Sequence, residues 1–222
     1  MSVQAPGRHV RDDAPAGSRP ASRLRALWAG PVGYCLRVYL VFRLGLFALA
    51  LVVAGLLPHP NNVSVPGWEA PVPAGWATAV TGWESGDALW YLRIGSQGYA
   101  VDDGSGAFFP LYPFLIRVVG TLLGGHWLLA AYVVSNVALV VALVLLLRLT
   151  ERELGEAIAR RAVLYLCAFP TGFFLFAPYS ESLFLALAIG CLYAARTARW
   201  GPAALLGLLA ALTRSPGVLL AL

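Results

Sequence analysis

Acidic and aromatic side chains are concentrated in residues 83–113, between long apolar segments of the chain. Glu84 and Asp87 are candidates for a general base, because a hydroxyl nucleophile stays weak until a neighbouring group takes its proton. Trp90 and Tyr91 follow Asp87 at helical spacing and share one helix face with it. Asp87 is equally explained as an acid in the first turn of a helix, where the helix dipole favours negative charge. The residues alone leave both explanations open.

Two further charged residues, Glu181 and Arg214, interrupt apolar stretches in the second half of the chain. Burying a charge at the centre of a bilayer costs at least about 3 kcal/mol on insertion scales. Each of the two residues therefore faces a polar cavity or lies at the boundary of a span, in the headgroup layer. A polar cavity would make both residues part of a functional site.

Metal, cofactor and nucleic-acid chemistry are not expected. The three cysteines, Cys35, Cys167 and Cys191, lie in apolar runs and are typical of small buried hydrophobic residues. The three histidines are isolated in the sequence, so no metal cluster is predicted. The net charge of +5 comes from scattered arginines rather than from a basic face with interleaved aromatics.

Composition indicates an integral membrane protein. The chain is 59% hydrophobic and only 12% charged, whereas soluble domains carry about 25% charged residues. Its apolar residues come in long runs, as transmembrane helices require. We therefore expect an all-α fold, a polytopic bundle of transmembrane helices.

The arginine pattern predicts the orientation of the chain. Residues 1–31 are expected to form a disordered, basic, cytoplasmic tail, and residues 32–222 a transmembrane domain. The first span is expected at residues 34–57, with Arg43 snorkelling toward the cytoplasmic surface. These features predict a multi-pass protein of the cell membrane with a cytoplasmic N-terminus.

An extracytoplasmic loop is expected at residues 58–107. Its proline-rich first half is predicted to be irregular. Its second half fits an amphipathic helix over residues 85–97, with Ser85 as N-cap and Gly98 as the residue that ends it. Such a helix would lie along the membrane interface, with its aromatic side chains toward the lipid headgroups.

The clearest later span is residues 127–147, which contain no charge and precede an arginine-rich stretch. Because arginine-rich loops favour the cytoplasm, residues 108–125 are expected to stay on the outer side. A full crossing at 108–125 is the alternative, and it would reverse every later loop. Further crossings are predicted at 162–178, 182–195 and 200–213. The apolar sequence runs to the last residue, so we expect the chain to be incomplete at its C-terminus.

Four segments carry a family resemblance: D-A-L-W-Y-L-R-I-G-S-Q-G-Y (87–99), A-F-F-P-L-Y-P (107–113), F-P-T-G-F-F-L-F-A-P-Y-S-E-S-L-F (169–184) and A-A-L-T-R-S-P-G-V-L-L (210–220). With them the chain resembles the PIG-V-like mannosyltransferases, bacterial relatives of GPI mannosyltransferase II in the GT-C superfamily. The resemblance covers about residues 34 to 222 and looks like an N-terminal portion of a family member. One departure is that Gly86, and not the family's usual tryptophan, directly precedes the aligned Asp87.

The resemblance implies an enzyme that transfers mannose or another hexose from a polyprenyl-phosphate sugar to an acceptor on the outer face, with inversion. Asp87 aligns with the family acid and is the expected base, with Glu84 as the competing candidate. Arg214 is expected to compensate the charge of the leaving phosphate, with Arg117 and Arg93 as the other candidates. Glu181 is expected to bind the acceptor or shape the site. The implied substrate-binding set is Glu181, Arg214, Trp90, Tyr91, Tyr112 and Tyr179. The implied partners are the lipid-linked donor, an acceptor and membrane lipid, with no cofactor.

Two other functions remain open from the sequence. A transporter or flippase-like protein is favoured by Glu181 and Arg214 lying close to the helix-breaking Pro170, Pro178 and Pro216. An inactive partial chain or an accessory membrane subunit is favoured by the abrupt C-terminus.

Overall fold

The fold is all-α, as predicted. A computed structural model describes residues 28, 30–56, 64–70 and 75–221. The expected disordered tail therefore lies almost entirely outside the described residues. The helices are α1 (Pro31–Leu56), α2 (Thr78–Thr81), α3 (Asp87–Gln97), α4 (Leu111–Leu122), α5 (Trp127–Leu154), α6 (Glu156–Ala168), α7 (Glu181–Arg196) and α8 (Trp200–Ala211). Short 3-10 turns lie at Gly75–Ala77, Ser105–Ala107, Gly172–Leu175 and Ser215–Ala221.

Polar contacts between helix termini define one end of the bundle, here called the basic end. The Tyr34 hydroxyl, near the start of α1, donates to the carbonyl oxygen of Arg160 in the first turns of α6 at 2.8 Å. At the ends of α7 and α5, Arg196 and Glu153 form an ion pair of 3.3 Å. The start of α1, the end of α5, the start of α6 and the end of α7 therefore meet at the basic end.

Small residues allow the central helices to approach closely. The buried face of α5 is rich in alanine, including Ala130, Ala131, Ala138 and Ala142, and Ala186 of α7 belongs to the same core cluster. Close backbone approach through small residues is typical of helix packing in membranes. Large aliphatic residues lie on both faces of α5: Leu139 and Leu143 are buried, whereas Val137 and Val141 are exposed. Among the described helices, α1 and α5 are long and apolar enough to cross a membrane.

Helix α3 follows the sequence prediction in position but differs at its start. It begins at Asp87, and the N-cap is Gly86, with φ of 55°, and not Ser85. Gly98, with φ of 93°, is the C-cap as predicted. The expectation that the aromatic face meets lipid headgroups is wrong for Tyr91. Its ring is buried edge-on against those of Phe108 and Tyr112, at centroid distances of 5.3 and 4.8 Å.

Three other elements differ from the expected boundaries. Residues 64–69, expected to be irregular, form an antiparallel hairpin in which Ser64 pairs with Glu69. Helix α4 has 12 residues, about 18 Å, which is short for a hydrocarbon core of about 30 Å. The helix expected over 162–178 ends at Ala168, and the 3-10 turn Gly172–Leu175 follows it. Pro170 explains this break, because the residue before a proline is disfavoured in helical conformation.

Arg43 does not extend toward the basic end, which corrects the snorkelling expectation. Its Nη1 donates to the carbonyl oxygen of Phe176 at 3.0 Å, and its guanidinium lies 5.1 Å from the centre of the Tyr132 ring. The Tyr132 hydroxyl in turn donates to the carbonyl oxygen of Val80 in α2 at 2.8 Å. Arg43 therefore ties α1 to the end of the bundle that carries residues 75–86.

Candidate active site

A cavity of about 230 Å³ opens beside the first turn of α3. Three segments form it: the start of α3, the end of the loop after α3, and the chain that follows α8. Its lining residues are Asp87, Tyr91, Ala107, Phe108, Phe109, Thr213, Arg214, Ser215 and Pro216. The cavity therefore brings together the acid of the first resemblance segment and the arginine of the last.

Asp87 presents an accessible carboxylate to this cavity. It is exposed in the first turn of α3, directly after the left-handed Gly86. Among the described residues, no ion pair engages its carboxylate. Asp87 is thus placed to accept a proton from a molecule in the cavity.

Arg214, which also lines the cavity, is held by a short polar network. Its Nη1 lies 2.5 Å from Oε1 of Glu181 and 3.3 Å from Oγ of Ser180. Ser180 is buried and also shares a hydrogen bond of 3.0 Å with the Tyr91 hydroxyl. The side chains of Arg214 and Glu181 are 36% and 30% exposed, so a ligand can still reach the pair.

The segment 175–182, which carries Glu181, is fixed by side chains bonded to its backbone. Ser182 donates to the carbonyl oxygen of Leu175 at 2.6 Å, and Ser135 of α5 donates to that of Tyr179 at 2.9 Å. Tyr112, fully buried, shares a hydrogen bond of 2.7 Å with Ser135. These bonds satisfy backbone groups where helical hydrogen bonding is interrupted.

Tyr179 and Tyr112 support the site without lining the cavity. The Tyr179 hydroxyl donates to the carbonyl oxygen of Ser85 at 2.9 Å and so holds the turn that precedes Asp87. Tyr112 contributes indirectly: its hydroxyl shares a hydrogen bond with Ser135, which donates to the carbonyl oxygen of Tyr179. Both residues were expected to bind substrate, which stays a prediction; their observed contacts are with the turn before Asp87 and, through Ser135, with the segment that carries Glu181.

Trp90 and Glu84 also lie outside the cavity lining. The Trp90 ring stacks on that of Phe108 at 5.5 Å. Glu84 is buried and accepts a hydrogen bond of 2.9 Å from the indole nitrogen of Trp68 in the hairpin. Burial raises the pKa of Glu84 above its ordinary value, and the hydrogen bond from Trp68 lowers it in part. Glu84 thus connects the hairpin of residues 64–69 to the turn that precedes α3.

Sequence reasoning missed several residues of this region. Ser180 lies within the P-Y-S-E segment, yet nothing in the sequence indicates that its hydroxyl contacts both Tyr91 and Arg214. Arg93 and Asp103 form a buried ion pair that fastens the loop before Phe108 to α3. The sequence signal for that pair was a single arginine, Arg93, among the apolar and aromatic residues of α3. In the described part of the chain, no group of three potential metal ligands is present.

Comparison with known proteins identifies the family of the chain. The family model described as mannosyltransferase (PIG-V) matches residues 40–221, which include every residue of the cavity. No curated protein and no solved structure matches the chain. The family acts from the membrane on a lipid-linked sugar donor and an acceptor. Because the match covers most of its length, the chain belongs to the PIG-V mannosyltransferase family and is a glycosyltransferase.

Proposed function

We propose that the chain transfers mannose from polyprenyl-phosphate mannose to a hydroxyl acceptor on the extracytoplasmic face, with inversion at the anomeric carbon. The observation that carries this proposal is the cavity that Asp87 and Arg214 both line, which offers a base and a cation to one ligand. A transfer from a phosphate ester to a hydroxyl needs both groups. The base takes the proton of the acceptor, and the cation stabilises the departing phosphate.

Asp87 is the general base of this proposal. As the acceptor oxygen bonds to the anomeric carbon, the Asp87 carboxylate takes the hydroxyl proton. The bond between that carbon and the phosphate oxygen breaks, and its electron pair leaves with the lipid phosphate. A single displacement of this kind inverts the configuration. The phosphate leaves as a stable anion, so a second carboxyl group to protonate it is not required, unlike in ordinary glycoside hydrolysis.

Arg214 is the phosphate-binding cation, and Glu181 fixes its position. A guanidinium has five N–H donors in a planar fork, and the bonds to Glu181 and Ser180 involve only Nη1. Donors therefore remain to bind phosphate oxygens in the geometry that arginine favours. Glu181, which the sequence suggested for acceptor binding or site architecture, fits the second of these roles.

The orientation in the membrane follows from the distribution of arginines. The basic end carries Arg148, Arg152, Arg160, Arg161, Arg196 and Arg199. Cytoplasmic segments carry an excess of arginine, and acidic residues contribute little to this rule. The basic end is then cytoplasmic, as is the N-terminus that precedes α1. The cavity opens on the other side of a multi-pass protein of the cell membrane.

The segment 108–125 stays on the outer side in this proposal. Tyr112, at the start of α4, contacts Ser135, whereas Gly120, near its end, lies against Trp127 at the start of α5. Helix α4 therefore runs antiparallel to the first turns of α5. A helix of this length beside one end of α5 fits a hairpin that returns to the same side better than a separate crossing.

The test is sugar transfer by membranes that contain the full-length protein. Asp87→Asn should lower kcat by about 100-fold or more, because general-base catalysis contributes about 10² to 10⁴. Asp102→Asn is the matched control. Asp102 is an exposed loop acid with φ of 60°, a conformation that asparagine tolerates well, so activity should remain. Retention of most activity by Asp87→Asn at wild-type expression would refute the proposal. Loss on Glu84→Gln would then favour Glu84 as the base.

A further inference from the structure

A second groove, here called the α1/α5 groove, has polar and apolar walls and lies away from the candidate active site. It has a volume of about 490 Å³. Its polar residues are Tyr39, Arg43, Tyr132 and Asn136, and its apolar residues are Val133, Val137, Val140 and Val141. The groove shares no lining residue with the cavity of Asp87 and Arg214.

Arg43 places a positive charge in this groove without an acidic partner. It lies near the middle of α1, and no carboxylate among the described residues forms an ion pair with it. A charge in an apolar span is costly unless it is paired. Its observed contacts are the Phe176 carbonyl oxygen and the face of the Tyr132 ring. Since a guanidinium has five donors, most of them remain for a ligand.

The other polar groups of the groove largely satisfy one another. The Tyr39 hydroxyl donates to Oδ1 of Asn136 at 3.0 Å. Nδ2 of Asn136 donates to the carbonyl oxygen of Tyr132 at 2.8 Å. These bonds leave the Arg43 guanidinium as the main unsatisfied binding group of the groove. The ligand it favours is an anion, and phosphate matches the guanidinium fork.

The valine wall indicates that this anion belongs to a lipid. Val133, Val137 and Val141 lie one helical turn apart along α5 and are all exposed. They form an apolar strip that starts beside Arg43 and extends along the helix. A free phosphate would leave that strip uncovered, whereas an acyl chain attached to the phosphate would cover it.

We propose that the α1/α5 groove binds one phospholipid with a net anionic headgroup, its phosphate on Arg43 and an acyl chain along the valine strip. This site is separate from the proposed sugar transfer and does not depend on it. A lipid there would join α1 to α5 beside the Phe176 carbonyl, at the start of the segment that carries Glu181. The bound lipid would thus help to hold the segment 175–182 in place through Arg43.

The test is native mass spectrometry of the full-length protein released from detergent. Phosphatidylglycerol should be retained with a stoichiometry of one, with an affinity about tenfold higher than that of phosphatidylcholine. Equal retention of both lipids would overturn the proposal, since the groove would then be an ordinary apolar lipid contact. The assay reads binding only, so its result is independent of whether the protein transfers mannose.

Two variants and one control locate the site. Arg43→Gln should weaken phosphatidylglycerol binding about tenfold, whereas Arg161→Gln, the same change at an exposed arginine of the basic end, should not. Val140→Trp keeps Arg43 and its bond to Phe176 but fills the groove, and it should also abolish the bound lipid. This variant decides the matter if Arg43→Gln does not fold. Wild-type binding by Val140→Trp would refute the site.

Discussion

Two arginine–carboxylate pairs lie near or within α3, and they differ in their access to solvent. The side chains of Arg214 and Glu181 are 36% and 30% exposed, and Arg214 lines the cavity. The side chains of Arg93 and Asp103 are 8% and 13% exposed, and neither lines it. The first pair can exchange part of its contacts for a ligand. The second is enclosed and holds the loop that ends at Phe108.

The difference shows that charge alone does not identify a functional residue in this chain. Arg93 and Arg214 both follow apolar or aromatic sequence, and both were candidates to compensate the charge of the leaving phosphate. Burial separates them. Removing one partner of an enclosed pair leaves a buried charge unpaired and destabilises the protein, whereas a partly exposed pair contributes less to stability. Substitutions in the two pairs should therefore differ in whether they lower activity or stability.

Arg214→Gln should lower kcat/KM for mannose transfer by about 100-fold, because it removes the charge that stabilises the leaving phosphate. The thermal stability of the purified protein should change little, since the pair with Glu181 is partly exposed. The measurement is transfer activity in membranes with matched expression, with Arg161→Gln as control. Wild-type activity in Arg214→Gln would remove Arg214 from the site.

Glu181→Gln should have a smaller effect, a loss of about tenfold in kcat/KM. Glutamine still accepts a hydrogen bond from Arg214 but no longer fixes it through charge. The control is Glu153→Gln, which breaks an arginine–glutamate pair at the basic end and should leave activity unchanged. Equal losses in the two variants would show that the effect does not arise at the cavity.

Arg93→Met should lower the midpoint of thermal unfolding by about 5 °C or more, because Asp103 loses its enclosed partner. Activity per folded molecule should stay within about threefold of wild type, since Arg93 does not line the cavity. Differential scanning fluorimetry and the transfer assay measure the two quantities. A loss of activity with unchanged stability would reverse the roles assigned to the two pairs.

The pH dependence of stability should have opposite signs for Asp103 and Glu84. Hydrogen bonds from Ser105, followed by the charge of Arg93, lower the pKa of Asp103. Its contribution to stability is therefore present above its unfolded pKa of about 3.9 and is lost as pH falls through the folded pKa. Unfolding midpoints of Asp103→Asn and wild type should differ at pH 6 and converge in acid.

The pKa of Glu84 is raised by burial, with partial opposition from the Trp68 hydrogen bond. Ionised Glu84 is less favourable in the folded state than in the unfolded state. The free energy of unfolding therefore falls as pH rises from the unfolded pKa of about 4.3 through the raised folded pKa. Glu84→Gln should become more stable relative to wild type over that rise. A relative loss of stability over the same interval would contradict the assigned direction.

Sequence reasoning recovered the helical fold, the position of α3 and the identity of the family, because periodicity, Gly98 and the four motif segments are local features. It did not predict the hydrogen bonds of Tyr112 and Tyr179. Their partners, Ser135 and the Ser85 carbonyl oxygen, are distant in the sequence. Nor did it predict the direction of Arg43, since an arginine in a span can extend toward either end, and packing with α5 decides which.

Donor binding separates the proposed roles of Asp87, the base, and Arg214, the phosphate-binding cation. The measurement is the Kd of polyprenyl-phosphate mannose for wild type, Asp87→Asn and Arg214→Gln, each as full-length protein in detergent. We expect Asp87→Asn to bind within about threefold of wild type while it fails to transfer, and Arg214→Gln to bind about tenfold more weakly. Weakened binding by Asp87→Asn, or wild-type binding by Arg214→Gln, would refute these roles.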